Sequence, residues 1–578
     1  MNVFVYNVKR TWHYMQRSGV RKTFRKLGEK TGLIASEYHR WFLEHKVTEE
    51  QLARQKRRVF AEKYKFSFIV PAYKTPEVYL RELIDSLRSQ SYGNWELCIG
   101  DGSGADDCVK RVALSYNDQR IKYKKLEKNL GISGNTNEAL KMAEGDFIGL
   151  VDHDDLLEPD ALYYVMDVLE RRPDTDVVYT DEGKIMMNGK RYFDSHFKPD
   201  FNLWLLRSNN YICHLFFARK SLVEQVGGFR SAYDGAQDYD FILRCCEQAK
   251  AIEHIPRILY HWRAHPGSTA GNPASKLYAY EAGAKAVADH YRRMGIEGAT
   301  EYTGLPGRYH TRIAVQGAPK VCIVVSDVGT EKDLDECLKS IEAGTAYSNY
   351  EICVITKRRA LRRNEKAEVI QAQGELCSEK NRLGIGRDSD YLVFLDSVNK
   401  IISEKWLEEM LGICQQEQVG IVGTKILFAN GYVKSAGIIL GLWGVAGDVA
   451  CGETQGDDGY AGRNISVMEL SAVNGSCMMT SREVFRKLRG FSGEYGDYLG
   501  AVDYALRAKT EGLQTVYNPY AAVLFQGKWK CRRKDEAAYN TAEMERFKKR
   551  WGEKLKAGDP CYSPNLTLNA SNYSIREK

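Results

Sequence analysis

The pentapeptide Val151–Asp152–His153–Asp154–Asp155 brings three carboxylates into one short turn. It follows Gly145–Asp146–Phe147–Ile148–Gly149–Leu150, which reads as a buried strand, and opens onto Leu156–Leu157–Glu158–Pro159, which reads as a helix entrance. Carboxylates this close repel one another unless a positive group sits among them. Oxygen donors of this kind suit Mg²⁺ or Mn²⁺, and such a cation could carry a diphosphate. In open α/β sheets ligands bind at the carboxyl ends of strands. The plain alternative is a solvated acidic turn that caps the next helix.

Further candidates lie on both sides of this turn. Asp101 ends a strand in the turn Gly100–Asp101–Gly102–Ser103, where a carboxylate could accept the N3–H of a pyrimidine. Pro71 and Tyr73 end the preceding strand and would lie alongside, with Tyr73 offering an aromatic face. The polar loop Asn129–Leu130–Gly131–Ile132–Ser133–Gly134–Asn135 leads into a helix, and its amides could face phosphate. Asp238, in Gly235–Ala236–Gln237–Asp238–Tyr239–Asp240, reads locally as a helix cap; beside Asp152 and Asp154 it becomes a candidate general base. The stretch Tyr260–His261–Trp262–Arg263–Ala264–His265 offers two imidazoles and a guanidinium. A neutral His could complete a metal shell, and Arg263 could neutralise a leaving diphosphate.

The elements that must hold these residues follow from periodicity. Lys65–Phe66–Ser67–Phe68–Ile69–Val70–Pro71 is predicted as a strand stopped by proline. A helix begins at Thr75–Pro76 with apolar residues at 80, 83, 84 and 87, and Trp95–Glu96–Leu97–Cys98–Ile99 is the next strand. This is a βαβ unit, hence a parallel sheet. The unit recurs about 255 residues later (roughly, by matching strands): Val321–Val325 is a strand, a helix starts at Thr330 with apolar residues at 334, 337, 338 and 341, and Asn349–Val354 parallels Asn94–Ile99. Gly228–Phe229 and Asp238–Tyr239 with Leu243–Arg244 are echoed by Gly490–Phe491 and Asp503–Tyr504 with Leu506–Arg507. The expected organisation is a basic helical extension over 1–64, a first domain over 65–303, a linker over 304–318, a second domain over 319–530 and a polar tail over 531–578. Thr48 and Gln51 form a capping box predicted to open a helix through Lys63.

The chain has 578 residues and a net charge of +7. Residues 1–65 hold sixteen Lys or Arg against six Asp or Glu, so the remainder is slightly acidic. A basic end on a near-neutral body suggests an anionic partner. Phe4, Val8, Trp12 and Met15 share one helical face flanked by Lys9, Arg10 and Arg17, which suits either an anionic membrane surface reached through residues 1–60 or packing on the next domain. No recognition motif points to nucleic acid. No apolar run reaches the roughly 20 residues that span a bilayer. No secretory signal is evident. The cysteines are scattered without a C-x-x-C pair, so reduced thiols and a cytoplasmic location, with the inner membrane face as an extension of it, are expected.

Taken together, Pro71-x-Tyr73, Asp101–Gly102–Ser103, Asp152-x-Asp154–Asp155, Gly227–Gly228–Phe229, Gln237–Asp238–Tyr239 and the His261–Thr269 stretch resemble the family 2 glycosyltransferases of the GT-A fold. Tyr179–Thr180–Asp181–Glu182, Phe197–Lys198–Pro199–Asp200 and Ile255–Arg263 look closer still to bacterial tandem enzymes of O-antigen and rhamnan-type polysaccharide assembly. The resemblance implies an α/β chain of two tandem, Rossmann-like, mostly parallel GT-A domains. It implies inverting transfer of a sugar from a UDP- or dTDP-linked donor to a hydroxyl of a glycan or lipid-linked glycan, with Mn²⁺ or Mg²⁺. Asp238 would be the base. Asp154 would bind metal, Asp152 metal or ribose, and Asp101 the pyrimidine, with Pro71, Tyr73, Asn135 and Arg263 also on the donor side. His265 and His261 are rival metal ligands. Asp181, Glu182, His214 and Trp262 are acceptor candidates. The family often has Asp where Gly100 stands, a departure that bears on the base site. In the second copy Thr356 stands at the Asp101 position, Val398 at the Asp154 position and Asp503 at the base position, so that domain is expected to be degenerate. A nucleotidyltransferase and a non-catalytic sugar-binding scaffold are the competing readings.

Overall fold

A computed structural model describes residues 36–264, 277–358, 367–528 and 541–577, together with Met15. Chain contacts divide it into two compact units. The first runs to Phe201 and adds Asn209–Ile296 and Thr300–Tyr309; the second takes Asn202–Ser208, Glu297–Ala299 and His310 onward.

In the first unit, α1 (Glu37–His45) and α2 (Glu49–Arg57) precede β1 (Phe66–Ala72), α3 (Glu77–Arg88), β2 (Trp95–Asp101), α4 (Cys108–Ser115), β3 (Ile121–Lys125), α5 (Gly131–Leu140), β4 (Phe147–Leu150), β5 (Leu156–Leu157), α6 (Ala161–Arg171), β6 (Val177–Met186), β7 (Tyr192–His196), β8 (Phe216–Arg219), α7 (Gln237–Gln248) and β9 (Ile252–Ala264). The sheet runs β3-β2-β1-β4-β8-β6-β9-β5, with β7 on β6. β3, β2, β1 and β4 are mutually parallel, and β6 is parallel to β9; β8 lies antiparallel between those two blocks. Phe66, Phe68, Val70, Leu97 and Ile99 send one face of the sheet into a core shared with Leu80, Leu83, Ile84 and Leu87 of α3. Those four are the apolar stripe anticipated from the 3.6-residue period. Pro71 stays within β1, opposite Gly100, because pairing with β4 has already ended at Ile69–Leu150 and the missing N–H costs no ladder bond there.

The capping box of Thr48 and Gln51 is present, but α2 ends at Arg57 and not at Lys63. Arg58 turns inward to Tyr163, Asp167 and Glu170, and Phe60 is buried. α1 lays Tyr38 and Phe42 against the unit, with Phe42 on Tyr192 of β7. The described part of the basic extension is therefore packed on protein. Phe4, Val8 and Trp12 lie outside the described residues.

The second unit repeats the topology. β10 (Val321–Ser326), α8 (Glu331–Gly344), β11 (Tyr350–Thr356), β12 (Ala367–Gln371), α9 (Leu376–Gly386), β13 (Tyr391–Asp396), β14 (Asn399–Ile401), β15 (Val419–Phe428), β16 (Cys477–Ser481), α10 (Asp497–Thr510) and β17 (Gln514–Phe525) give the order β12-β11-β10-β13-β16-β15-β17-β14. This is the first unit's order strand for strand. Twelve cysteines are free among the described residues, and Cys451 departs from the expected thiols in being disulfide-bonded. No helix among the described residues is long and apolar enough to cross a membrane.

Candidate active site

The acidic turn leaves the carboxyl end of β4, where the strand pairs with β1 on one side and β8 on the other. Carboxylate oxygens of Asp152, Asp154 and Asp155 all lie within 4.8 Å of one another. Asp152 is exposed, Asp154 intermediate and Asp155 buried. Burial, then the charges of Asp154 and Asp152, push the Asp155 carboxyl well above the usual range. That strain is what a cation would offset, and an all-oxygen set fits a hard divalent ion.

β9 carries the groups that hold this turn. Asp155 Oδ2 accepts from the Tyr260 hydroxyl at 2.6 Å and Oδ1 from the Arg263 amide at 2.8 Å. Arg263 Nε donates to the Asp154 carbonyl at 2.7 Å, and its guanidinium continues to Glu82 and to the Met187 carbonyl while lying over Tyr79. Arg263 is 1% exposed. Its buried place beneath the turn, with Nε, Nη1 and Nη2 each bonded to protein, is a correction to the expected role on a leaving diphosphate. His261 is corrected likewise. Strand alternation turns it to the other side, where Nε2 meets Glu158 at 2.9 Å and the ring packs on Phe42 and Tyr192. It is absent from the metal-capable group among the described residues. His265 lies outside the described residues.

Asp238 sits in the first turn of α7. Its Oδ2 accepts from Asn210 Nδ2 at 2.8 Å and from the Cys213 thiol at 3.4 Å. Burial raises its pKa; His214, the Tyr239 amide and Cys213 pull back, and Asp152 adds to the rise. His214, an acceptor candidate, comes between the two acids. Its Nε2 is 3.7 Å from Asp152 Oδ2, its ring stacks on Tyr260 at 4.8 Å, and Trp262 meets it edge-on at 5.6 Å. Trp262 is partly exposed there. Sequence reasoning missed Asn210, Cys213 and Tyr260. Asn210 and Cys213 precede a short strand and carried no motif; Tyr260 stood within a quoted string but was given no role.

Asp181 and Glu182 are both engaged by protein groups, and the Glu182 side chain is 12% exposed. Asp181 is fully buried and accepts from the Lys198 amide and His254 Nε2, both at 2.8 Å. Glu182 meets Lys198 Nζ at 3.0 Å and His196 at 3.2 Å; burial opposes its charge, but those partners hold it down at about 2. Lys198 also donates to the Ile212 and His214 carbonyls, so this buried cation fixes the approach to β8. Both acids brace the site from behind, which corrects their reading as acceptor contacts.

On the base side, Tyr73 is 48% exposed. Asp101 is fully buried, taking the Ser103 amide at 2.9 Å and the Tyr123 hydroxyl at 2.7 Å. Its carboxylate holds the turn through those two donors. Asn135 is also inward: Oδ1 accepts from the Leu130 amide and Nδ2 donates to Asn129, so its amide organises the loop that was expected to face phosphate. Gly100 has a steric cause. A Cβ there would come within 2.4 Å of the Asn135 carbonyl oxygen, so α5 can pack this closely only on glycine.

Among its described residues the second unit lacks this machinery. Register places Asp396 at the Asp152 position, Val398 at Asp154 and Asn399 at Asp155. Asp503 is not at the base position. Arg507 donates to Asp503 Oδ2 and to the Leu488 and Gly490 carbonyls, as Arg244 donates to Asp240 and to the Val226 and Gly228 carbonyls. Asp503 therefore corresponds to Asp240, and Ala501 occupies the Asp238 position. Lys380 of α9, 4% exposed, lies 3.1 Å from Asp497 and 3.9 Å from Asp396.

The glycosyl transferase family 2 pattern matches residues 67–227. The chain is 34% identical over 537 residues to Sinorhizobium fredii "Uncharacterized protein y4gI", covering 88% of this chain and 58% of that protein. It is 29% identical over 549 residues to the Myxococcus xanthus "O-antigen biosynthesis protein RfbC", covering 92% of this chain and 42% of that one. The chain thus spans about half the length of these relatives. Among solved structures, S. aureus TarS 1–349 is 24% identical over 39% of this chain and 65% of that chain, with a TM-score of 0.32. Residues 67–227 thus carry a glycosyl transferase family 2 domain.

Proposed function

We propose that the first unit transfers a sugar from a UDP- or dTDP-linked donor to a hydroxyl of a growing cell-surface glycan, with inversion and with a divalent cation. The observation that carries this reading is the acidic turn: three mutually close carboxylates at the end of β4, with Asp238 coupled electrostatically to Asp152 and His214. Asp152 and Asp154 are the accessible members and would hold Mn²⁺ or Mg²⁺; when bound, the ion stabilises the charge of the departing diphosphate. Asp238, oriented by Asn210 and Cys213, takes the proton of the acceptor hydroxyl as its oxygen bonds to the anomeric carbon and the bond to the diphosphate breaks. Its raised pKa suits a base that must hold that proton. Trp262, partly exposed beside His214, offers a flat apolar face to a sugar ring. Tyr73, half exposed at the end of β1, offers another to the nucleobase. The name of the Myxococcus relative supports a polysaccharide acceptor, on a lipid carrier or free.

The second unit is read as non-catalytic. Val398 cannot bind a metal, and Ala501 cannot take a proton. Residues 1–35, rich in Lys and Arg, are the part of the extension left for an anionic membrane surface, since α1 and α2 are packed.

The test is incubation with Mn²⁺ and a panel of UDP- and dTDP-sugars, followed by assay of free nucleoside diphosphate. Release of diphosphate is expected. Release of pyrophosphate from a nucleoside triphosphate and sugar phosphate would indicate a nucleotidyltransferase, and release of neither would indicate a binding scaffold.

A further inference from the structure

One oxygen ties the two ends of the acidic turn together. The Tyr260 hydroxyl donates to Asp155 Oδ2 at 2.6 Å and accepts the Asp152 amide at 3.2 Å. The side chain is fully buried in the sheet, and its ring stacks within 17° of parallel on His214, which itself approaches Asp152. Nothing in the sheet itself calls for a hydroxyl at that place. A Phe would fill the same volume and keep the stack.

The internal duplication supplies an independent comparison. In the first unit Leu157 of β5 faces Tyr260; in the second, Ile401 of β14 faces Val523. The pairing of β4 with β8, and of β13 with β16, likewise puts Ser476 at the place of His214 and Gly475 at the place of Cys213. A Cβ on Gly475 would lie 2.7 Å from the Ala501 Cβ, which mirrors the contact of Cys213 with Asp238. The copy with Val398 and Asn399 in its turn thus also lacks the tyrosine and the imidazole. The sheet forms there with Val523, so the hydroxyl is not a folding requirement of this topology.

We propose that Tyr260 is a positioning residue that, by tying Asp155 to the Asp152 amide, sets the geometry in which Asp152 and Asp154 hold a divalent cation. It rests on the reading of the first unit as a cation-dependent transferase. Partners that orient ligating carboxylates typically change metal affinity by about 10- to 100-fold when removed.

The experiment is Mn²⁺ binding to the full chain, followed by the electron paramagnetic resonance of free Mn²⁺, for wild type, Tyr260→Phe and Asp154→Ala. Tyr260→Phe should raise the Mn²⁺ dissociation constant about tenfold or more. Its kcat should recover at saturating Mn²⁺, and its melting temperature should stay near wild type. Asp154→Ala should lose the site. Unchanged Mn²⁺ affinity in Tyr260→Phe, with Asp154→Ala defective, would overturn the role of Tyr260 alone. Wild-type affinity in Asp154→Ala would overturn the cation reading itself. Hydrogen exchange of metal-free wild type is a second measurement that needs no variant: the Asp152 amide should be protected, and exchange at the rate of an open turn would remove the clamp.

Discussion

Asn210 donates its side-chain amide to Asp238 Oδ2 at 2.8 Å, on the carboxylate oxygen that also takes the Cys213 thiol. Two neutral donors on one oxygen fix the rotamer of this partly exposed carboxylate. Asp238→Asn should therefore abolish transfer, with kcat down by about 10³-fold or more, while donor affinity changes little. Asn210→Ala should lower kcat by about tenfold and leave donor KM alone. Steady-state kinetics on both variants checks this, and near-normal turnover by Asp238→Asn would remove the base.

The pH profile carries the same point. Asp238 must be ionised to accept a proton, and its pKa is raised, first by burial. Activity should rise with pH through that raised value, so the acid limb of kcat/KM lies above the ordinary carboxylate range. A limb at or below the ordinary range would contradict the burial seen here.

Glu182 should report on stability and not on acceptor binding. Its pKa is held at about 2, below the unfolded value, despite the burial that opposes its charge. A depressed carboxylate stabilises the fold above its unfolded pKa, and that contribution is lost as pH falls from there toward the folded value. Glu182→Gln should cost about 3 kcal/mol at neutral pH, because Lys198 is left buried without its partner, and should flatten the acid side of the stability curve. Denaturant titrations between neutral and strongly acid pH measure it.

Gly100→Asp, which restores the residue common in the family, should destabilise this protein. The new Cβ would meet the Asn135 carbonyl oxygen at 2.4 Å, and backbone cannot step aside as a flexible side chain can. A drop in melting temperature of several degrees is expected; an unchanged one would mean that α5 shifts freely.

In the second unit, Asp503→Asn should lower stability and spare transfer. Asp503 takes Arg507 at 2.8 Å and Trp551 Nε1 at 3.0 Å, a brace between helices. Thermal unfolding together with kcat separates the two effects, and a selective loss of kcat would show a second catalytic centre.

The fold was legible because its signals are periodic. The apolar positions 80, 83, 84 and 87 and their echo at 334, 337, 338 and 341 place α3 and α8 on equivalent strands. The acidic turn was legible because it ends a strand. What stayed hidden was orientation. Two neighbours on β9, His261 and Arg263, looked like ligands by type, but alternation sends the ring to Glu158 and packing buries the guanidinium under Asp154. Asp503 was matched to Asp238 through a repeated Asp-Tyr pair, whereas the true anchor is an arginine four residues later that binds carbonyls of the preceding loop. Local strings do not carry that hydrogen-bond pattern. Asn210 and Cys213 reach Asp238 across 28 and 25 positions of chain, a closure that only the sheet specifies.

The most direct measurement is Mn²⁺ binding in the presence of a nucleoside diphosphate, on wild type and on Asp154→Ala. A single Mn²⁺ per chain that disappears with Asp154 is the predicted result. Binding that survives Asp154→Ala unchanged, or two ions of similar affinity, would contradict a lone cation centre at the end of β4.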